Sequence, residues 1–549
     1  MSSRDIPHSF REAFCGWYER IPDELALTKA QRERNIALAE QDQDDESREA
    51  VRKVQFKNLW PAFISGAGLF SDGYVNNSIS AVTTCLSLIY GEAYTNSNAI
   101  SNVAAIAFAG TVVGQLSFGY ISDHLARKGG MLAANIILVL FTLLCAVATW
   151  GKTPEGLFTA LTVFRFFLGI GIGAEYPTSS VIASEFANQL PAGHRNRYFV
   201  WFTNSCIDFG YVVAAFVPMV LLWIFSDSHL EPVWRLTLGL GVFPPFALYF
   251  MRRKMKNSES YEKTNMKTAK SFPWWLVIKF YWFRLTVVSI VWFIYDFSAY
   301  SFGLYSSYIL KIIIPDGDLY KTFGWNVVFN LFYLPGTFLG GFATDYFGPR
   351  LTMAGGLIAQ AIVGFGMTAG YHTLKHQIGG FVVVYGIFSA LGEFGPGNNV
   401  GCLASKTSST PVRGQYYGIA AALGKIGAFV GTYVFPVILK NNGGADSDEG
   451  VRTAFYISSG LCIFSAILTL FFCPSVGQEA INDEDRKFVE YLKANGYDLA
   501  NLGNGTISQE YEESGESFSD PKEDVKVEVE PRVRQATASD SSSNDEKRL

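Results

Sequence analysis

Charged side chains are scarce through most of this chain. They make up 17% of its 549 residues, against 49% apolar, and the acidic ones gather at the ends, at 42–49, 483–485 and 510–530. A string of soluble domains would carry charge throughout, so the distribution points to a membrane part that is itself net basic. Paired cysteine motifs are missing as well. The seven cysteines are scattered, all but Cys15 in apolar segments, with no C-x-x-C and no His/Cys pair at metal-ligand spacing. That argues against a disulfide framework and a metal site, and leaves small residues packing between helices. There is no P-loop, H-E-x-x-H, nucleophile elbow or nucleotide-binding cassette, so neither an enzyme nor an ATP-driven pump is expected, and no cofactor is called for. No basic n-region with a short apolar run and a small-residue cleavage site opens the chain, so the first span itself should direct insertion.

What the chain has in quantity is long apolar stretch. Between residues 59 and 473, segments of 18 or more apolar residues follow one another with short polar breaks, about twelve in all, each long enough to cross a hydrocarbon core as helix. Arg127 and Lys128 follow the second stretch, Arg195 and Arg197 the fourth, and a basic run at 252–270 the sixth, whereas the connections at 91–99 and 441–450 are almost free of Lys and Arg. Basic loops stay in the cytosol, so both termini should lie there. The expected division is a disordered cytosolic leader at 1–57, a six-helix half at 58–252, a cytosolic central loop at 253–273, a second half at 274–473, and an acidic, Ser-rich cytosolic tail at 474–549. Ser541 to Ser543 before Asp545 and Glu546 are either phosphorylation sites or simply solvated.

The halves share a motif. Gly119-Tyr120-Ile121-Ser122-Asp123, followed by Arg127, recurs as Gly341-Phe342-Ala343-Thr344-Asp345, followed by Arg350, each after the second span of its half. Glycine lets helix ends approach, and the Asp can pair with a neighbouring Arg or cap a helix, so Gly119, Asp123, Arg127, Gly341, Asp345 and Arg350 are candidate gating residues. These G-x-x-x-D-x-x-x-[RK] loops resemble the signature of the major facilitator superfamily. Within it, Gly169-Ile170-Gly171-Ile172-Gly173-Ala174-Glu175-Tyr176-Pro177, with Glu185 beyond, resembles the phosphate:proton symporter family. Glu175 stands where the phosphate carriers typically have Asp, which is more like the fungal permeases for glycerophosphoinositol and glycerophosphocholine. The resemblance covers residues 59–473 and implies an all-α membrane protein of the major facilitator fold, with about twelve helices in two pseudo-symmetric halves.

An ionisable group at the bilayer centre costs roughly 2.5 to 3.5 kcal/mol on insertion scales, so each needs a reason to be there. Asp72, Glu175, Asp208, Asp296, Glu393 and Lys425 all fall inside apolar stretches. Any one could be a packing ion pair; together they suggest a lined cavity. Trp292, Asp296 and Tyr300 are four apart and form one helical stripe. The resemblance assigns substrate contacts to this W-x-x-x-D-x-x-x-Y pattern and to Lys425 in a G-K-x-G run. Lys425 would meet a phosphoryl group, or else pair with Asp72 or Asp208. Pro177 leaves the Gly173 carbonyl without its usual partner, an irregularity tolerated beside a cavity, where Glu175 and Tyr176 would lie. Glu175 is then either a proton carrier or permanently paired, and Asp72, Glu175 and Asp208 are the candidate proton-coupling groups. A second Gly-Pro break holds Glu393, Asn398 and Asn399, whose side chains can hydrogen-bond hydroxyls or phosphate oxygens. Arg165 and Arg284, near span ends, are expected to snorkel.

The expected function is proton-coupled import of glycerophosphodiesters by a monomer in the plasma membrane, with no nucleic-acid partner. One lysine meets one phosphodiester charge. Trp292, Tyr295, Tyr300, Tyr176 and Tyr74, with nearby carboxylates, would favour glycerophosphocholine, although Asn204, Asn398 and Asn399 could serve inositol hydroxyls. An inorganic phosphate symporter and a non-transporting nutrient sensor are the alternatives.

Overall fold

A computed structural model describes residues 7, 9–41, 59–125, 127–188, 190, 194–258, 261–262, 272–306, 309–310, 314, 318–442, 447–477 and 480–499. The acidic run at 42–49, most of the central loop and everything beyond 499, including Ser541 to Ser543, lie outside them.

Eleven helices among the described residues are long and apolar enough to cross a membrane: Ala99–His124, Arg127–Ala146, Pro154–Asn188, Arg195–Phe225, Leu230–Arg253, Trp274–Leu304, Leu319–Phe347, Pro349–Ala369, Ile378–Lys406, Thr410–Asn441 and Asp448–Phe472. These are spans 2 to 12. The helix Phe70–Tyr90 is span 1; it falls short of that standard because Asp72, Asn76, Asn77, Ser78 and Ser80 crowd its buried face. Local chemistry sets several helix starts. Thr153 accepts a hydrogen bond from the Gly156 N–H ahead of Pro154, Asp318 accepts from Tyr320 and Lys321, and Ser447 accepts from Gly450, each relieving orphan donors of a first turn.

The spans pair in a repeated pattern. Span 1 lies along span 5 and span 7 along span 11; span 3 packs on span 6 and span 9 on span 12. Where the two sets meet, span 2 runs along span 11 and span 5 along span 8. Large apolar side chains on the outer faces stay exposed, such as Trp223, Trp275, Leu339 and Ile362, as hydrocarbon contact requires. Spans 4 and 10 each carry one wider π-helical turn, Tyr176–Ser180 and Glu393–Gly397, at the two proline breaks. Proline cannot donate to the carbonyl one turn back, and the extra residue absorbs the fault.

The ends differ from expectation. Residues Phe10–Cys15 and Arg20–Gln41 of the leader are helical, and so is Ala480–Ala494 of the tail. Averaged polarity hides an apolar stripe in the tail helix, where Ile481, Phe488, Val489 and Leu492 are buried. In the leader, the aromatics Phe10, Phe14 and Trp17 pack on Phe283, Phe471 and Phe472.

Candidate functional site

A cavity of about 830 Å³, including space open to solvent, lies between the two sets of six spans. Span 11 brings Lys425 into it and span 7 brings Trp292, Asp296 and Tyr300. The four-residue spacing on span 7 does put those three side chains on one face, as the sequence pattern requires. Lys425 Nζ lies 3.3 Å from Asp296 Oδ2 and 3.9 Å from Asp72 Oδ2, contacts the Tyr300 hydroxyl, and sits 3.8 Å from the Tyr300 ring centroid. Asp72 also accepts hydrogen bonds from Tyr176, from Tyr300 at 3.4 Å and from Asn76 at 2.5 Å. Lys425 is thus shared between two carboxylates from different sets of spans.

A second polar group forms around Glu393. Its oxygens accept from the Tyr295 hydroxyl at 2.8 Å and from Asn204 at 2.9 Å, and Asn204 also donates to Asn398 at 2.9 Å. Asn398 donates to the Thr337 carbonyl, and the Thr337 hydroxyl donates to Asp208. No lysine or arginine pairs with Glu393 or Asp208 among the described residues. Tyr211 and Tyr333 complete the aromatic wall on this side.

Three expected site residues stand elsewhere. Glu175 does not line the cavity: Arg252 grips it with two hydrogen bonds, of 2.6 and 2.9 Å, and Ser179 donates to it. Tyr176 faces the cavity and Glu175, its neighbour in the chain, faces away from it, as adjacent residues about 100° apart on a helix can. Asn399 is spent on Thr344 and on the Gly395 carbonyl, at 2.8 and 2.7 Å. Tyr74 donates to the Thr237 carbonyl at 2.6 Å, inside the first set of spans.

The repeated loops lie at one common end of the bundle, and they reach across to the opposite set. Asp123 accepts the backbone N–H groups of Gly414 and Gln415, at 2.9 and 2.7 Å, at the start of span 11. Asp345 does the same at the start of span 5, accepting Arg197 N–H at 3.1 Å. Each carboxylate therefore caps a helix N-terminus of the other set, where orphan donors and the helix dipole favour negative charge. Gly119 and Gly341 make the approach possible, since a Cβ would fall 2.9 Å from the Gly414 carbonyl oxygen and 2.6 Å from Trp201 Nε1. Arg127 pairs with Asp123 at 3.2 Å and closely with Glu185, which also meets Arg413 at 3.3 Å. Arg350 has a different partner: its Nε lies 2.9 Å from Glu24 of the leader.

The family model for the sugar (and other) transporter family matches residues 60–272 and 251–488. The chain belongs to this family of the major facilitator superfamily. It is 60% identical over 534 residues to a glycerophosphocholine permease of Candida albicans, covering 96% of this chain and 99% of that one. It is 59% identical over 527 residues to a major glycerophosphoinositol permease of the same yeast, covering 95% and 98%. The solved proton:xylose symporter XylE bound to 6-bromo-6-deoxy-D-glucose superposes with a TM-score of 0.65 at 15% identity, over 79% of this chain and 100% of that one, and shares its fold.

In this multi-pass membrane transporter two further expectations need correction. Arg165 and Arg284 do not snorkel: Arg165 is fully buried and donates to the Val103 carbonyl at 2.8 Å, and Arg284 pairs with Glu484 of the tail helix at 2.6 Å. Position along the span misled in both cases: Arg165 is turned inward onto span 2, and the tail helix covers the end of span 7 at Arg284. Asn76, Asn77, Tyr211 and Tyr333 line the cavity and were not singled out. The spacing of Asp72 and Asn76, one helical turn apart in a membrane helix, was the available signal.

Proposed function

We propose that this transporter imports glycerophosphodiesters together with protons, and that it takes glycerophosphocholine in preference to glycerophosphoinositol and inorganic phosphate. One observation carries the reading. Lys425 is the one cationic side chain among the described residues lining the central cavity, against Asp296 and Glu393 in the lining and Asp72 just behind. A phosphodiester brings a single negative charge, which one lysine can meet; a phosphate dianion would call for more. The two Candida albicans relatives, one a glycerophosphocholine permease and the other a glycerophosphoinositol permease, support the substrate class and, being different, leave the head group to the chemistry of the cavity.

A quaternary ammonium has no proton to donate and is held by ring faces and nearby carboxylates, each cation–π contact giving roughly 0.5 to 2 kcal/mol. Tyr176, Tyr211, Trp292, Tyr295 and Tyr333 supply faces, and Glu393 with Asp208 behind it supplies uncompensated charge. Coupling follows from the sharing of Lys425. When a phosphodiester takes the ammonium, Asp72 or Asp296 is left buried without a counter-ion, a state that a proton relieves. The protein would act as a monomer in the plasma membrane, with the Asp–Arg loops and both termini in the cytosol.

The test is competition in cells lacking their own carriers. Uptake of labelled glycerophosphocholine should be blocked best by unlabelled choline ester, less by the inositol ester and least by phosphate. Block by the inositol ester alone would overturn the choline preference, and block by phosphate alone would overturn the substrate class.

A further inference from the structure

Glu393 of span 10 and Asp208 of span 5 have no lysine or arginine partner among the described residues, and their surroundings differ. Both oxygens of Glu393 receive a donor, Oε1 from the Tyr295 hydroxyl and Oε2 from Asn204. That setting suits an ionised carboxylate. Asp208 is fully buried, no hydrogen-bond donor among the described residues reaches its Oδ1, and its Oδ2 meets the Thr337 hydroxyl of span 8.

Hydrogens can be counted at Thr337. Its hydroxyl has one hydrogen, yet it contacts two oxygens, Asp208 Oδ2 and the Tyr333 carbonyl, the latter at 3.2 Å. An ionised Asp208 is an acceptor, as the carbonyl is, so one of the two contacts would hold no hydrogen. A protonated Asp208 completes the count: it donates to Thr337, and Thr337 donates one turn back to Tyr333. The remaining Oδ1 then belongs to a neutral acid, far less costly to bury without a partner than a charge. No cation stands in for that proton. The titratable groups acting on Asp208 are Cys206 and Tyr211 of its own span, Tyr333 of span 8 and Glu393 of span 10. Asp72 of span 1 is engaged with Lys425, Tyr176 and Tyr300. Spans 5 and 8 belong to different sets, so the Asp208–Thr337 contact lasts only while the sets meet there, and parting them gives Asp208 access to water.

We propose that Asp208 is a proton site emptied by a cationic head group: its carboxyl keeps a proton when the cavity takes glycerophosphoinositol and loses it when a quaternary ammonium settles beside Glu393. This rests on the reading that the cavity takes glycerophosphodiesters and places choline at Glu393. The exchange balances. The Asp208 O–H bond breaks, the proton passes to water in the open cavity, and the ammonium brings the positive charge that left. Inositol is neutral and leaves the proton in place. The choline ester therefore brings in one proton fewer than the inositol ester, whether the carrier returns with Asp208 protonated or ionised. Since the inositol ester bears one more negative charge, both substrates move the same net charge.

Proton and charge entry per labelled molecule, measured in proteoliposomes for each ester, test this. The inositol ester should bring about one proton more than the choline ester, with equal charge per molecule. Equal proton counts overturn the proposal. In Asp208→Asn, which cannot hold the proton, the two counts should become equal, and a persisting difference removes Asp208 from the exchange. Since that variant can fail to fold, the wild type gives a second readout. The infrared band of a protonated carboxyl should be present in the substrate-free protein, weaken on saturation with glycerophosphocholine and stay with glycerophosphoinositol. A band that glycerophosphocholine leaves unmoved overturns the exchange. If no glycerophosphocholine enters at all, the proposed substrate is wrong; the proton site then stands if tetramethylammonium alone weakens the band, and falls if it does not.

Discussion

Lys425 Nζ lies 3.3 Å from Asp296 Oδ2, a pair made between span 11 and span 7 at the wall of the central cavity. Removing Lys425 leaves both Asp296 and Asp72 buried and uncompensated, a penalty of about 3 to 5 kcal/mol, and removing Asp296 leaves Lys425 with Asp72 alone, at 3.9 Å. Lys425→Ala and Asp296→Asn should therefore cut uptake at least about a hundredfold per molecule at the surface, as counted by surface labelling. Near-normal transport by either variant would remove both residues from the site.

Uptake should rise as the outside is acidified and collapse when a protonophore is added. Asp72→Asn, which keeps the hydrogen bonds to Tyr176 and Tyr300 but cannot hold a charge, should flatten the response to outside pH. A carrier indifferent to both treatments would be a uniporter.

Glu175 behaves differently in this account, because Arg252 holds it away from the cavity. Glu175→Gln should lower thermal stability in detergent by several degrees, while Glu175→Leu with Arg252→Met should recover most of it, since an apolar pair often replaces a buried ion pair without loss. If Glu175→Gln instead folds normally and loses its pH response, Glu175 carries the proton after all.

Periodicity and charge made the helical spans legible in advance, and the span 7 stripe and Lys425 could be placed together because membrane helices have few other reasons to carry such groups. The two proline breaks were legible too. What the sequence hid was direction: adjacent residues on a helix point about 100° apart, and nothing in the order of Glu175 and Tyr176 says which one faces the cavity. The leader was hidden for another reason. Its apolar residues are few, and they matter only because Phe471, Phe472 and Arg350 happen to await them at the ends of distant spans.

Span 1 has a consequence for how the protein is made. It is made before spans 2 to 12, and it carries Asp72, Asn76 and Asn77, for which lipid offers no partners. Asn76 bonds Asp72 within the helix, but the other partners of Asp72 and those of Asn77 are Tyr176, Tyr211, Tyr300, Asn330 and Lys425, all synthesised later. Asp72 stands in the first turn of Phe70–Tyr90, where an aspartate disfavours insertion by less than the roughly 2.5 to 3.5 kcal/mol it costs at a helix centre, so span 1 gains its full hold on the bilayer only as those later segments arrive.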